Sequence, residues 1–208
     1  MLLLTPMTSE CALETEPLPA AEPVSFMEMG ISSLCFAVSR RIMSHTAASA
    51  RFKREADRIL AHTQKLEPAL TTKPVLVERI RGLDENCRHW SLLMTLDHLA
   101  MINTAVLTII ESLLQNIPLA PNFSAAEAKP KTEQSIFTIE RFRKITEQYV
   151  ERVDHVPKLH CKMRHTHHQF GPLDAHGWHC LAAVHQQIHR KQVERIVVIA
   201  TNPDSLIL

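Results

Sequence analysis

SLLMTLDHLAMINTAVLTIIESLLQ, residues 91–115, decides how the rest of the chain must fold. At 100° per residue, Thr104, Thr108, Glu111 and Gln115 fall within about 40° of Asp97 and make one polar stripe. Most of the remaining wheel is Leu, Met, Ile, Val or Ala. Its polar exceptions are Thr95, Asn103, Ser112 and His98, of which only His98 can titrate near neutrality. A helix apolar around most of its circumference is a buried helix. Asp97, His98 and Glu111 interrupt the stretch in a way that a lipid-facing span would avoid. Ser91, just after Trp90, is suited to cap the helix, its hydroxyl accepting from the free amides of the first turn.

Outward from this element the composition narrows the class. The chain has 208 residues, enough for one domain or one domain with a tail, and 45% of them are apolar. There are 4 Gly where ordinary usage of about 7% would give about 15, which argues against a sheet protein rich in tight turns. No G-x-G-x-x-G and no G-x-x-x-x-G-K occurs, so a glycine-rich phosphate loop is excluded. Lys and Arg (23) balance Asp and Glu (22), leaving no charge footprint for nucleic acid or an anionic membrane. The skewed number is 13 His.

Cys11, Cys35, Cys87, Cys161 and Cys180 are odd in number and scattered, without a C-x-x-C pair. The three leucines after Met1 follow no basic residue and fall short of a signal peptide. Gly30 to Val38 is too short to span a bilayer. These features lead to the expectation of a soluble protein with free thiols in a reducing cytoplasm, with no membrane or nucleic-acid partner.

Residues 1–24 mix Pro6, Pro17, Pro19 and Pro23 with Glu10, Glu14, Glu16 and Glu22, without periodicity, and read as a mobile tail ahead of a single domain over 25–208. Ser25 to His45 reads as helix, weakened by Gly30 and the Ser32–Ser33 pair. Ala48 to Leu66 sets Phe52, Ala56, Ile59, Leu60 and Thr63 at helical spacing, with Arg51, Lys53, Arg54, Glu55 and Arg58 mostly elsewhere. Asn116 to Pro130 is a loop long enough to cross the end of a bundle. A further helix over about 132–156 is stopped by Pro157. An irregular connection, His160 to His168, leads to Asp174, a good cap for a last helix over about 175–199. Four main helices of about 20 residues, with long loops between them, define an all-α four-helix bundle.

On the last helix, Trp178, Leu181, Ala182, His185, Ile188, His189, Gln192, Ile196 and Ile199 share a face, with Gln187, Arg190, Lys191 and Glu194 largely opposite, toward water. His185 and His189 are at i, i+4, side by side, and two such imidazoles can bind one divalent ion. His98, inward from its own helix, can supply a third ligand. Burying three imidazoles is unfavourable unless each finds a partner, and one shared cation satisfies them together. Neutral imidazole nitrogens suit zinc, nickel, iron or copper. Three histidines leave a coordination position open, the catalytic pattern.

A lone inward histidine is more often a hydrogen-bonded core residue than a ligand, so the competing expectation is an inert core. His160, Cys161, His165, His167 and His168 are a second set of ligand types, at a spacing that matches no zinc finger or knuckle, and read as solvated loop near the mouth of the pocket. His176 and His179 read as surface, Met94 and Met101 as core filler, and Trp90 and Trp178 as anchors of the bundle ends. H-E-x-x-H is absent, and no Ser-His-Asp or Cys-His arrangement can be assigned from spacing.

Trp90-Ser91 through His98-Leu99-Ala100 resembles the "W-S … H-L-A" signature of the DinB/YfiT-like metalloenzymes. His167-His168-Gln169-Phe170-Gly171-Pro172-Leu173, then Trp178 and His185-Gln186-Gln187-Ile188-His189 with Gln192, resembles that superfamily's "H-P-x-F-G-x-L" approach and "W … H-x-x-x-H-x-x-Q" helix. His168 stands at the usual proline. The similarity runs over roughly Ala48 to Ile199. It implies a four-helix bundle with a divalent ion on His98, His185 and His189, zinc or nickel first and iron or manganese next. Gln192, His167 and Trp178 are implied as pocket or supporting residues. It also implies a homodimer and a small-molecule substrate, with hydrolase or thiol-dependent transferase chemistry that uses a water or a low-molecular-weight thiol. No general acid or base stands out, and the alternative is a non-catalytic dimeric bundle with a structural ion or core histidines.

Overall fold

The structure, a computed structural model, describes residues 26–119, 130 and 135–202. The expected tail over 1–24 lies outside the described residues, as does most of the loop expected over Asn116 to Pro130. In chain order the elements are α1 (Phe26–Ile42), α2 (His45–Thr63), α3 (Leu92–Leu114), α4 (Phe137–Asp154), the strands β1 (His165–His167) and β2 (Gly171–Leu173), and α5 (Ala175–Thr201), with short 3-10 turns at Pro68–Leu70 and Glu85–Cys87. Helices α2, α3, α4 and α5 form a four-helix bundle, and α1 lies against the start of α5.

Each inner helix begins where its side chains dictate. Ser44, Ser91 and Asp174 are extended residues whose oxygens accept from the amides of Ala47, Met94 and Gly177, capping α2, α3 and α5. The buried stripe of α3 (Leu92, Leu96, Leu99, Asn103, Val106, Ile110, Leu113) faces the bundle axis. Its polar stripe meets α4 instead of open water: Asp97 pairs with Arg141 at 2.5 Å and Glu111 with Arg152 at 2.6 Å, so these helices run parallel. Parallel neighbours need a connection as long as the bundle, which fits the long stretch of sequence between Leu114 and Phe137.

Helices α2 and α5 also run parallel, zipped by Ser49–His179, Glu55–Arg190 and His62–Glu194. The residues expected to face water from α5 lie partly in this seam. Arg190 is mostly covered, bonding Glu55 at 2.6 Å and pairing with Glu194, while Gln187 accepts from Arg51. Glu55 itself is 2% exposed, although its charge had placed it on the outer face. A charge this deep is tolerable only when paired and hydrogen-bonded, as this one is.

Two more expectations are corrected. The stretch His160 to His168 is not wholly irregular, because His165–His167 pairs antiparallel with Gly171–Leu173 in a short hairpin. Gly171 enters β2 at φ +70, a conformation glycine adopts without strain. The hairpin is clasped by α1 through Phe36 against Phe170, ring centroids 4.6 Å apart, and Ser33 donating to the Gln169 carbonyl. His176 and His179 are also not surface residues; both are buried at the α5 N-terminus.

Helix α3 is long and apolar enough to cross a membrane by length and composition, yet it packs among the other helices. Leu99, wholly buried, anchors its middle. Leu99→Ala is expected to destabilise the fold by about 3 kcal/mol. Leu34→Ala, on the outer face of α1 and 67% exposed, is expected to change it by less than about 0.5 kcal/mol. Urea unfolding of the two variants measures the contrast.

Candidate metal centre

His98 reaches the centre from α3, and His185 and His189 from α5. His98 Nε2 lies 3.3 Å from His185 Nε2, which lies 3.2 Å from His189 Nε2. All three ligand nitrogens fall within 4.8 Å of one another, and among the described residues this is the one such gathering of His, Cys, Asp or Glu. A tetrahedral ion bound at 2.0–2.1 Å holds its nitrogen ligands about 3.3 Å apart, and an octahedral face holds them about 2.9 Å apart. The two pairs that share His185 therefore match that spacing, and the His98–His189 pair lies within 4.8 Å.

His185 and His189 are held in their neutral forms. Burial, then the nearby His98, pulls the His189 pKa down to about 3, with the Gln192 hydrogen bond opposing. Burial, then His189 and His98, pushes His185 well below its ordinary range. Neutral imidazole is the ligand-competent form. The tautomer of His189 follows from its neighbours. Gln192 Nε2 donates to the Cys87 carbonyl at 2.6 Å, so Gln192 Oε1 faces the ring and accepts from His189 Nδ1–H at 2.7 Å. That leaves a lone pair on His189 Nε2, turned toward the other two rings. His185 Nδ1 is buried without a hydrogen-bond partner among the protein groups.

The segment between α2 and α3 brings the support. Val77 N–H donates to the Arg88 carbonyl at 3.0 Å and Leu93 N–H to the Thr71 carbonyl at 3.1 Å, fixing the strap that carries Cys87 and Trp90. Gly82, at φ +86, lets the strap approach Ile188, where a Cβ would sit 2.9 Å from Ile188 Cδ1. Trp90 lies against both His98 and His189, its ring centroid 4.9 and 6.2 Å from theirs. It is a wall of the site as well as an anchor of the helix, a role its place beside the Ser91 cap did not reveal. The Cys87 carbonyl was invisible to sequence reasoning, since any residue offers a main-chain oxygen.

The other expected residues divide. Gln192 supports the centre directly. Trp178 packs instead on the hairpin, its Nε1–H donating to the His165 carbonyl and its ring edge-on to His167. His167 is close enough to bear on His185 electrostatically. Its Nδ1 accepts from the amides of Gln169 and Phe170, which puts the ring proton on Nε2, and burial, then His168, lowers its pKa to about 4. His160, Cys161, His165 and His168 are not gathered into a ligand set: His160 pairs with Asp174, Cys161 donates to the Met163 carbonyl, and His168 stacks on His167.

With this geometry described, the chain can be set beside known proteins. No protein-family model and no curated protein matches it. A solved structure described as TT2238, a four-helix bundle protein, is similar over 73% of this chain and 98% of its own, at 19% identity and a TM-score of 0.48.

At the other end of the bundle, His179 bridges Ser49 Oγ (3.0 Å from Nε2) and the Tyr149 hydroxyl (3.0 Å from Nδ1), with His45 edge-on to its ring. Burial, then the neighbouring His45 and His176, lowers its pKa from 6.5 to about 4, while the His45 main chain and Asp154 pull the other way. Unfolded chain therefore takes up a proton that folded His179 refuses. The linked stability is full above pH 6.5 and falls as pH drops toward 4, by up to about 3 kcal/mol. Melts between pH 7 and 4.5 are expected to show that fall, and His179→Phe to flatten its slope whatever the variant's absolute stability.

Proposed function

We propose that the chain is a metal-dependent enzyme of the DinB-like kind, holding one divalent transition-metal ion on His98, His185 and His189. The observation that carries this reading is the spacing of 3.2 and 3.3 Å between the His185 Nε2 atom and those of its two neighbours. Three imidazoles can share few hydrogen bonds at that distance, whereas a cation accepts a lone pair from each. The donor set, all nitrogen, suits zinc, nickel, iron or copper. When bound, the ion supplies Lewis acidity at an open coordination position to a water or a low-molecular-weight thiol, the nucleophile for a small electrophile or an ester- or amide-like bond.

The protein's own groups prepare that position. Gln192, locked to the Cys87 carbonyl, holds His189 in the tautomer that offers Nε2. Trp90 keeps solvent from the inner sides of His98 and His189, so the open side lies toward His185, the least buried of the three, and the hairpin that carries His167. His167, neutral with its proton on Nε2, presents a hydrogen-bond donor from that hairpin. The burial of His98 and His189 also favours a second reading, a structural ion in a non-catalytic bundle.

Elemental analysis of freshly purified protein is expected to give about one divalent ion per chain, lost in His185→Ala and His189→Ala. Unchanged stoichiometry in both variants would eliminate the site. Gln192→Leu is expected to weaken metal affinity 10- to 100-fold, roughly the effect of losing a supporting partner, in a competition titration with a chromogenic chelator. A melt lowered by chelator, with no water or thiol exchange detectable at the ion, selects the structural reading.

A further inference from the structure

The apolar core is not continuous. One cluster takes Phe52 from α2, Val106, Ile109, Ile110 and Leu113 from α3, Tyr149 and Val153 from α4, and Ala182 and Ala183 from α5. The other takes Ala56 and Ile59, then Leu92, Leu96 and Leu99, then Phe142, then Val193 and Ile196 from the same four helices. The break falls at one level of the bundle. It lies between Leu99 and Val106 on α3, between Phe142 and Tyr149 on α4, and between Ala183 and Val193 on α5. Those three gaps contain Asn103, Thr146 and Gln186, which are 1%, 6% and 0% exposed.

Every side-chain polar atom of these three residues is buried without a hydrogen-bond partner. Thr146 is telling. Thr95, Thr104, Thr108 and Thr201 turn their hydroxyls back to the carbonyl four residues earlier, and Thr146 does not. Two primary amides and a hydroxyl left dry at the centre of a bundle would be strongly destabilising. Native interiors resolve such groups with ordered water when the place is polar.

We propose that Asn103, Thr146 and Gln186 form an internal solvent site, a layer of ordered water between the two apolar halves of the bundle. Its ligand must donate and accept hydrogen bonds, since each amide offers both functions, and an ion would find no countercharge among the three side chains. Water meets that description, and an ion does not. Gln186 precedes His189 by one helical turn, so the layer borders the metal ligands. Its existence does not depend on whether a metal is bound.

The test is a crystal structure of the full chain at a resolution that shows solvent, determined as purified and after chelation, together with water–protein cross-relaxation measured by NMR in solution. Water bridging at least two of the three side chains in both states is expected. Cross-peaks from the Asn103 and Gln186 side-chain amide protons to long-lived water are expected too, and each should vanish in Asn103→Leu or Gln186→Met respectively. Side chains bonded directly to one another with no water between them, or amide protons with no water cross-peak in the unaltered protein, would overturn the proposal.

Discussion

A helix apolar on nearly every side has to be surrounded, and α3 sets that constraint for the whole molecule. Its polar atoms leave one narrow strip, Asp97 to Gln115, through which it can meet a polar partner, and α4 supplies Arg141 and Arg152 to that strip. With one side of α3 fixed against α4, its other faces close on α5 and on the interior of the square. His98 travels with the helix. Because Trp90 and the Ser91 cap fix where the helix starts, His98 arrives two turns in, at the depth where α5 presents His185 and His189. The site is therefore a consequence of how α3 is buried and capped.

Much of this was legible in the chain, for reasons that can be named. Periodicity exposed α2, α3 and α5, because each buries one coherent stripe, and Ser91 and Asp174 marked their starts by cap chemistry. The i, i+4 pair His185 and His189 could be placed on one face with His98 opposite, and the coordinates bring all three together. Failures came where one helix's outward face is another's inward one. Glu55 and Arg190 each look solvated alone and are buried only as a pair across the α2–α5 seam. His176 and His179 were assigned outward from the wheel of α5, yet α1, α2 and α4 close over them with Arg40, Ser49 and Tyr149. A wheel holds no information about neighbours not yet placed. The hairpin went unseen because its strands are three residues each, too short for alternation to register.

Histidine serves two physical purposes at the two ends of α5. Near its start, His179 is satisfied within the protein, with a hydroxyl on each ring nitrogen. Further along, His189 has one nitrogen satisfied by Gln192 and the other turned toward two further imidazoles. The difference is one of hydrogen-bond arithmetic. A ring flanked by two hydroxyls needs nothing more, whereas His185 has a buried Nδ1 with no protein partner and its Nε2 beside two further imidazoles. Burial depresses the basicity of both His179 and His189, so depressed basicity does not distinguish the two arrangements; the partners of their ring nitrogens do.

The same arithmetic explains why the interruption of the core lies where it does. Asn103 and Gln186 stand where apolar side chains would continue the buried faces of α3 and α5. Buried polar groups next to a functional centre are where a fold departs from its most stable sequence, because the centre needs fixed dipoles and solvent that a hydrocarbon interior excludes. Asn103, Thr146 and Gln186 lie in the break between the two apolar clusters, and among the described residues no comparable set of unpaired groups lies among the wholly buried leucines at either side of it. The break in packing and the gathered imidazoles are thus parts of one arrangement. The apolar halves hold the helices in register, and on α5 the polar level between them adjoins two of the gathered imidazoles, His185 and His189.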